Sequence, residues 1–420
     1  MLKKFSLLEE SGVTKKDFLV SFILLFNTLT WYYFTRTIPH ALLLGSNPTD
    51  LQTVLVLGGY LSTIILSGIV GATLSEKIEK LHFIYVWIVL GVAASFLPLL
   101  LNGYSMTNFL IISISLGFSF GLGIPTCSAY FAECTVFENR GRTSGLVLLM
   151  AYLSAPLLLL LIGNNVVIIS IVSFIWRALI LGILFLLKPA EAKVQKKKPT
   201  PYLAILRNRS FLLYMIPWLM FCLVDRLERT YLEAIFEPWF FEFFNTLIAP
   251  LFGLIFAFVG GFMADRIGRK RVVIYGFITL GVEYALLGLA PTMVASWYVY
   301  SILDGIAWGM LTVTFFLILW GDLSPLNSAR EKYYAIGAIP LFFTELVGIL
   351  SRPYVQGIPP QSAYAVFSLA SFFLFLAVLP LMYAPETLPE KKMEIRRLKG
   401  YIEQAKKFTE KYTKKSSNKS

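Results

Sequence analysis

The sequence predicts an all-α membrane protein in which twelve transmembrane helices form two pseudo-symmetric six-helix bundles. Three observations predict this fold: the apolar content, the placement of basic residues and an internal repeat. Of the 420 residues, 57% are hydrophobic and only 15% are charged, whereas ordinary soluble domains have about 25% charged residues. The apolar content is sufficient for about twelve segments of roughly 20 residues, the length that a helix needs to cross a bilayer.

The hydrophobic segments can be placed in order along the chain. The first segment follows four lysines and lacks a small-residue cleavage site, so we interpret it as an uncleaved helix. All three cysteines lie in or beside apolar segments, so no extracytoplasmic disulfide framework is indicated. The predicted helices, numbered 1 to 12, cover residues 18–38, 51–73, 82–101, 108–131, 144–162, 166–187, 211–233, 246–264, 272–290, 297–320, 333–351 and 363–383.

The placement of Lys and Arg predicts the orientation, because cytoplasmic loops retain positive charge. Almost all of the 37 basic residues fall near the two termini or in alternate loops. We therefore expect a multi-pass protein of the cell membrane with both termini in the cytoplasm. The predicted parts are an N-terminal bundle (1–187), a basic cytoplasmic linker (188–209), a C-terminal bundle (210–384) and a basic cytoplasmic tail (385–420).

The formal net charge of +12 raises the question of nucleic-acid binding. The excess of basic residues lies in the linker and in the tail, where Lys and Arg can contact anionic lipid headgroups. We therefore expect the lipid bilayer as a partner of these segments, and no nucleic acid.

The two predicted bundles share several features at a nearly constant offset in the sequence. Each match is weak alone, but four matches in the same order indicate a duplicated six-helix unit, which is typical of transporters. The matching features are Arg36-Thr37 with Arg229-Thr230, Gly71 to Lys80 with Gly261 to Lys270, Gly117 and Gly121 with Gly305 and Gly309, and Glu133 with Asp322.

The segment from Gly261 to Arg271 carries the most specific local motif: a Gly, an Asp-Arg pair, a second Gly and a basic run. It resembles the loop signature of the major facilitator superfamily of membrane transporters. The resemblance implies that this loop latches one state of a rocking cycle. The alternative is a loop that only determines topology. The predicted gating residues of this segment are Gly261, Asp265, Arg266, Gly268, Arg269 and Lys270.

A second inner-face segment, from Tyr130 to Arg142, looks like the sugar-porter signature that follows helix 4 in that branch of the superfamily. Glu133 and Arg140 keep their places, whereas Val136 replaces the usual Pro. Pro385-Glu386-Thr387 is also similar to the sugar-porter ending. From this segment we predict three further gating residues, Glu133, Arg140 and Arg142.

Charged residues in helix 7 distinguish this sequence from sugar porters, which carry Gln and Asn there for hydroxyl recognition. An ionised group inside a membrane costs at least about 2.5 kcal/mol, so it should face an aqueous cavity or pair with another charge. For the charged residues, the alternative is an outer helix end held by internal ion pairs. For the aromatic residues, the alternative is a role in packing or at the membrane interface. The resemblance implies that helices 1, 4, 7 and 10 line the cavity. The predicted substrate-binding residues are Trp31, Tyr32, Arg36, Asp225, Arg226, Glu228, Arg229, Asp304 and Trp308.

Glu345 is an isolated carboxylate about midway along predicted helix 11. Burial favours the protonated form of such a group, which suits reversible protonation during transport. We therefore consider proton coupling through Glu345 or Asp304, with a neutral, hydrogen-bonded Glu345 as the alternative. Arg177 of helix 6 and Glu283 of helix 9 also lie in the middle of their helices. The resemblance implies that both helices are peripheral, and the sequence predicts no role for either residue.

Other functional classes fit the sequence less well. The two histidines, His40 and His82, lie at opposite faces and in no metal-ligand spacing, so we expect no enzyme, no cofactor and no metal site. We predict a monomeric secondary transporter of a small organic solute, charged or zwitterionic, that works by alternating access. Two alternatives stay open: a sugar-porter-like carrier of a neutral sugar, and a membrane solute sensor that does not transport.

Overall fold

The structure, a computed structural model, describes residues 14–101, 105–189, 200–325, 330–355 and 357–388. Residues 190–199 of the predicted linker and residues 389–420 of the predicted tail lie outside the described residues. Within the described ranges every regular element is a helix, which confirms the predicted all-α class.

Twelve helices in the described part of the chain are long and apolar enough to cross a membrane, as the sequence predicts. We number them α1 to α12 in chain order. Their bounds are α1 Lys15–Leu44, α2 Asp50–Leu74, α3 Lys80–Leu100, α4 Met106–Glu133, α5 Phe137–Ile162, α6 Val166–Leu187, α7 Arg209–Ile235, α8 Pro238–Ile267, α9 Arg269–Leu289, α10 Val294–Leu323, α11 Arg330–Val355 and α12 Pro360–Tyr383. Segments of π-helix interrupt α8 at Glu242–Ile248 and α10 at Val313–Leu319.

Three helices extend well beyond the spans that the sequence predicts. α1 continues to Leu44, α5 begins at Phe137 and α8 begins at Pro238. Apolar content locates the part of a helix inside the bilayer, whereas backbone hydrogen bonding continues through polar turns outside it. The difference matters for α5, because it places Arg140 and Arg142 near the start of a helix rather than in a loop.

Helices α1 to α6 and α7 to α12 form two bundles, and each has a hydrophobic core drawn mainly from its own helices. The predicted repeat appears in the glycine contacts. Gly117 and Gly121 of α4 lie against the backbone of α2, and Gly305 and Gly309 of α10 lie against the backbone of α8. Equivalent helices therefore cross closely in both halves, as small residues at a crossing allow.

The two bundles meet mainly along two helix pairs, α2 with α11 and α5 with α8, and α4 with α11 and α5 with α10 make smaller contacts. Gly141 of α5 and Gly261 of α8 face each other, and a Cβ atom on either would collide with the backbone of the other. This very close approach lies at the end of the molecule that carries Lys80, Arg140 and Arg269, here called the basic end. The sequence predicts that the basic end faces the cytoplasm.

Candidate functional site

A cavity of about 160 Å³ lies between the two bundles, roughly midway along the helices. Six helices line it: α1, α4 and α5 from the first bundle, and α7, α10 and α11 from the second. The sequence resemblance implied α1, α4, α7 and α10, and the structure adds α5 and α11. The lining residues are Leu29, Tyr32, Tyr33, Arg36, Phe120, Leu148, Tyr152, Trp218, Cys222, Asp225, Arg226, Arg229, Trp308, Thr312, Phe316, Leu341, Phe342, Thr344 and Glu345.

One carboxylate joins the two bundles across this cavity. Oε1 of Glu345 in α11 lies 3.3 Å from Nη2 of Arg36 in α1, and Oε2 lies 3.1 Å from Nη2 of Arg226 in α7. Glu345 is therefore not the isolated carboxylate that the sequence suggests. Its partners lie on helices that are remote in the chain, so the apolar run around Glu345 gives no sign of them.

Two more polar contacts organise the α7 side of the cavity. Oδ1 of Asp225 accepts a 2.6 Å hydrogen bond from Nε1 of Trp308. Nε of Arg229 lies 3.5 Å from Oε1 of Glu233, a contact that the i,i+4 spacing predicts. The Arg36 and Arg229 side chains are 36% and 43% exposed, which indicates that the cavity reaches solvent away from the basic end.

The structure brings together only part of the predicted binding set. The members of this set that line the cavity are Tyr32, Arg36, Asp225, Arg226, Arg229 and Trp308. Glu345, which was predicted for proton coupling, lines it as well. Trp31, Glu228 and Asp304 do not line it, and they therefore leave the candidate binding set. The reason is helix rotation: the cavity face of α7 recurs every three or four residues, and Glu228 lies on another face, toward α10.

Arg177 of α6 lies in a separate cluster inside the first bundle. Its guanidinium group lies 4.5 Å from the ring centroid of Trp31 and 4.1 Å from that of Trp87. Its Nη1 also donates a 3.1 Å hydrogen bond to Oδ1 of Asn27, while Nε1 of Trp31 donates to Ser95 at 2.8 Å. Aromatic faces stabilise a desolvated guanidinium, so Arg177 and Trp31 join α1, α3 and α6 rather than contact a solute.

Glu228, Glu283 and Asp304 form an acidic cluster where α7, α9 and α10 meet, and these residues are 4%, 0% and 8% exposed. Tyr300 donates a 2.8 Å hydrogen bond to Oε1 of Glu228. Both carboxyl oxygens of Glu283 lack a hydrogen-bond partner among the described residues. No group of His, Cys, Asp or Glu in the described ranges could hold a metal ion. Because an ionised, unpaired carboxylate is very costly to bury, we expect Glu283 to be neutral.

Replacing Glu283 by Gln is therefore expected to change the free energy of unfolding by less than about 1 kcal/mol, because Gln keeps the shape and polarity of a neutral carboxyl group. Denaturant titration of the purified protein in detergent measures the change. A loss of about 3–5 kcal/mol, the cost of breaking a buried ion pair, would show instead that Glu283 is ionised and paired.

A network of buried ion pairs closes the basic end. Asp322 of α10 is at its centre, because Oδ1 pairs with Nη1 of Arg140 in α5 and Oδ2 lies 3.1 Å from Nε of Arg269 in α9. Arg140 and Arg269 are 1% and 0% exposed. Since Arg140 belongs to the first bundle and Asp322 to the second, their ion pair links the two bundles.

Asp265 of α8 makes a second link between the bundles. Its carboxylate accepts hydrogen bonds from the backbone N–H groups of Gly141 at 2.8 Å and Arg142 at 2.9 Å. It also lies 3.2 Å from Nε of Arg142 and 3.3 Å from Nη2 of Arg269. Hydrogen bonds to an ionised acceptor are the strong ones, so Asp265 binds the start of α5 to the opposite bundle.

Two further ion-pair groups lie at the same end. Nζ of Lys80 lies 2.6 Å from both Glu133 and Glu331, and Nζ of Lys332 lies 2.7 Å from Glu76. Glu331 and Lys332 begin α11, whereas the other three residues belong to the first bundle. At the basic end, four ion pairs therefore link the bundles: Arg140 with Asp322, Arg142 with Asp265, Lys80 with Glu331, and Lys332 with Glu76.

The turn between α8 and α9 depends on Gly268, whose φ of 108° is a conformation that favours glycine. The Glu386 carboxylate accepts hydrogen bonds from the backbone N–H groups of Arg269 at 2.9 Å and Lys270 at 3.2 Å. A carboxylate is stabilised at a helix N-terminus. Glu386, in the segment that resembles the sugar-porter ending, is thus the cap of α9.

Arg266 and Lys270, two predicted gating residues, lie at the edge of the network. The guanidinium of Arg266 lies 4.1 Å from the ring centroid of Phe262, and Nζ of Lys270 donates a 2.7 Å hydrogen bond to the carbonyl of Met382. These contacts are within the second bundle, so neither residue links the two bundles in this structure.

Several residues at the two sites are not among those that the sequence predicts. Asp322 matches Glu133 in the repeat, and that match was a signal for it. Tyr33 of α1 shares the i, i+3, i+4, i+7 spacing of the cavity face with Tyr32 and Arg36. Tyr152 of α5 has no sequence signal, since only the packing of α5 against the cavity brings it there.

Comparison with known proteins identifies the family and the fold. The family model of the Major Facilitator Superfamily matches residues 20–235 and 243–415. The human organic anion transporter MFSD10 has a TM-score of 0.63 at 13% identity, with 87% of this chain and 99% of that chain covered. A bacterial homologue of the iron transporter ferroportin, in an outward-facing state, has a TM-score of 0.64 at 15% identity, with coverages of 88% and 98%.

A third solved structure, the proton:xylose symporter XylE bound to 6-bromo-6-deoxy-D-glucose, has a TM-score of 0.64 at 16% identity. The likeness covers 88% of this chain and 96% of that chain. At such identities a structural likeness shows the fold and not the solute. A search of the curated proteins found no match to this chain.

Proposed function

Because the chain belongs to the Major Facilitator Superfamily, we propose that it is a secondary transporter of a small organic solute that is charged or zwitterionic. The two bundles rock about the central cavity, which opens to one side of the membrane at a time. The solute is moved and not chemically changed, so the proposed function includes no enzymatic reaction.

The observation that carries this proposal is the pairing of Glu345 with Arg36 and Arg226 inside the cavity. Ionisable groups in a membrane interior are costly, and they mark solute or ion pathways. Arg36 belongs to the first bundle, and the other two residues belong to the second. A solute that binds among these groups therefore contacts both moving parts and is sensitive to their relative position.

The ion pairs of the basic end support the proposed rocking cycle. Asp322 with Arg140, and Asp265 with Arg142, link one bundle to the other. We propose that these pairs form a latch that holds the outward-facing state. Opening toward the cytoplasm would separate these ion pairs. The latch therefore influences the equilibrium between the outward-facing state and the state that is open to the cytoplasm.

The lining of the cavity favours a charged solute over a neutral sugar. Among the described lining residues there is no Asn or Gln, the side chains that sugar porters use for hydroxyl groups. Three arginines and two carboxylates are present instead. A sensor that binds without transporting would share this lining, so a transport assay separates the two.

We also propose that transport is coupled to protons, with Glu345 or Asp304 as the carboxylate that gains and loses the proton. Glu345 lines the cavity, whereas Asp304 is 8% exposed in the acidic cluster of the second bundle. The variants Glu345→Gln and Asp304→Asn distinguish the two: the variant that loses uptake driven by a pH gradient but keeps solute exchange identifies the coupling residue.

The test of transport is uptake into proteoliposomes that contain the purified full chain. Pooled labelled metabolites are offered outside, with and without an inward proton gradient. Saturable accumulation of a charged or zwitterionic solute supports the proposal. Accumulation of neutral sugars alone would favour a sugar carrier, and solute binding without any accumulation would favour a sensor.

Replacing Arg226 by Gln is expected to lower uptake at least about tenfold, since truncating one partner of a buried charge pair costs about 2–5 kcal/mol. Arg352→Gln is the matched control, because Arg352 lies in the last turn of α11 and is exposed. Initial uptake rates of both variants, corrected for the amount of reconstituted protein, provide the measurement. Equal rates for Arg226→Gln and the parent would place the solute elsewhere.

A further inference from the structure

Unused hydrogen-bond donors lie at the cavity. Arg36, Arg226 and Arg229 line it together with only two carboxylates, Asp225 and Glu345. Each guanidinium has five N–H donors, and Glu345 pairs with one nitrogen of Arg36 and one of Arg226. Nε of Arg226 is buried without a hydrogen-bond partner among the described residues. This Nε packs against Gly348 of α11, so an additional acceptor would reach the Nη groups of Arg36 and Arg226, whose donors outnumber the two oxygens of Glu345.

Asp225 does not supply that acceptor. Its Oδ1 accepts the 2.6 Å hydrogen bond from Trp308, and among the described residues neither of its oxygens forms an ion pair with Arg36, Arg226 or Arg229. Arg229 has its own partner in Glu233, whereas Arg36 and Arg226, from opposite bundles, share the single carboxylate of Glu345. Two arginines that share one carboxylate form the arrangement in which a carboxylate ligand binds well.

We propose that the cavity binds a monovalent organic carboxylate whose charged group takes the place of Glu345 between Arg36 and Arg226, and that Glu345 takes up a proton when it is displaced. This inference rests on the proposed transport function and names the solute class of the same cavity. Much of the remaining lining is aromatic, including Tyr32 and Trp218, and it suits a flat or apolar body beside the charged group.

Displacement leaves Glu345 without either cation partner. An ionised carboxylate in a membrane interior costs at least about 2.5 kcal/mol, so Glu345 binds a proton from the aqueous side and forms one O–H bond. One anion and one proton then enter together, and the net charge of the cavity is the same before and after binding. The stoichiometry is one proton per anion.

The charged and titratable groups that face Glu345 come from two neighbouring helices. Tyr32, Arg36 and His40 belong to α1, and Cys222, Asp225, Arg226 and Arg229 belong to α7. An arginine stays protonated at all relevant pH values. His40 and Asp225 are therefore the groups whose titration has to be separated from that of Glu345, by the variants His40→Gln and Asp225→Asn.

The test uses the purified full chain in detergent. Benzoate is the probe, lactate is a second and smaller carboxylate, and benzamide and benzylamine are the neutral and cationic analogues of benzoate. Tryptophan fluorescence reports binding, because Trp218 and Trp308 line the cavity. A pH indicator in weak buffer reports proton uptake. We expect benzoate to bind saturably with the uptake of one proton per benzoate. We expect benzamide and benzylamine not to compete with benzoate for the cavity. Failure of both benzoate and lactate to bind, preference for benzylamine, or benzoate binding without proton uptake would each overturn the proposal.

The pH dependence identifies the proton acceptor. Between pH 6 and 8 the affinity for benzoate is expected to fall by up to about tenfold per pH unit, because one proton is linked to binding. Glu345→Gln is expected to bind benzoate more tightly and without this slope, since no internal carboxylate competes. His40→Gln and Glu237→Gln, the latter at an exposed position, should keep the slope. A slope lost in His40→Gln or Asp225→Asn and kept in Glu345→Gln would overturn the assignment.

Uptake into proteoliposomes separates this inference from the proposed function. If benzoate binds together with a proton but does not accumulate, the anion site stands and the transport function fails. If a cationic or zwitterionic solute accumulates and neither benzoate nor lactate binds, the transport function stands and the anion site fails.

Discussion

Replacing Asp322 by Asn is expected to destabilise the protein and to open its basic end. Asn cannot balance Arg140 and Arg269, which are 1% and 0% exposed and both pair with Asp322. Removing one partner of a buried ion pair costs about 3–5 kcal/mol. Arg140 lies in the other bundle, so its ion pair with Asp322 stabilises only the state that is closed at the basic end. The substitution therefore also shifts the equilibrium between the closed and open states toward the open state.

Denaturant titration measures the loss of stability, and cysteine labelling measures the opening. Ser128 is 3% exposed and lies between the bundles, beside Trp320 and Tyr334. In a chain whose three native cysteines are replaced by Ala, Ser128→Cys should react with a maleimide at least about tenfold faster once Asp322→Asn shifts the equilibrium by 1.4 kcal/mol or more. Asp50→Asn, an exposed control at the start of α2, should change neither quantity. Unchanged labelling and stability in Asp322→Asn would refute the latch.

Replacing Gly261 by Ala is expected to separate α5 from α8 at the basic end. The added Cβ atom would collide with the backbone of Gly141, which cannot move aside as a flexible side chain can. Overpacking of this kind costs about 1–3 kcal/mol. The separation would also stretch the 2.8 Å hydrogen bond from the Gly141 N–H group to Asp265, so we expect weaker closure and slower transport.

Gly182→Ala is the matched control, because a Cβ atom at Gly182 of α6 has no neighbour within 4 Å. There, Ala should stabilise the helix by up to about 1 kcal/mol through its higher helix propensity. Thermal unfolding, Ser128→Cys labelling and uptake, measured on both variants, separate a steric effect from a general Gly→Ala effect. If the two variants behave alike, the close approach of α5 and α8 has no functional role.

Much of the fold could be predicted from the chain alone. Twelve helices follow from twelve apolar segments, and the repeat that matches Gly117 with Gly305 reappears as equivalent helix crossings. The helix ends were less predictable, since α5 begins at Phe137 and not at 144. Apolar length marks the membrane, whereas the helix end depends on local hydrogen bonding.

The candidate binding site was predictable only in part. The charges of α7 pointed to a cavity, and Asp225, Arg226 and Arg229 do line it. Glu228, between them in the sequence, faces Tyr300 instead. Asp304 of α10 likewise lies in the acidic cluster and not at the cavity. Residue type indicates which side chains are costly to bury, but it does not indicate which neighbour each side chain faces.

The sequence by itself determined the class, number and order of the helices and the family to which they belong, because apolar length and local motifs are properties of contiguous segments. Only the tertiary structure decided which charges meet. Arg36 and Glu345 are 309 positions apart, and Arg140 and Asp322 are 182 apart. Such pairs depend on how each helix is rotated about its axis, and that rotation is set by the packing of all the helices together.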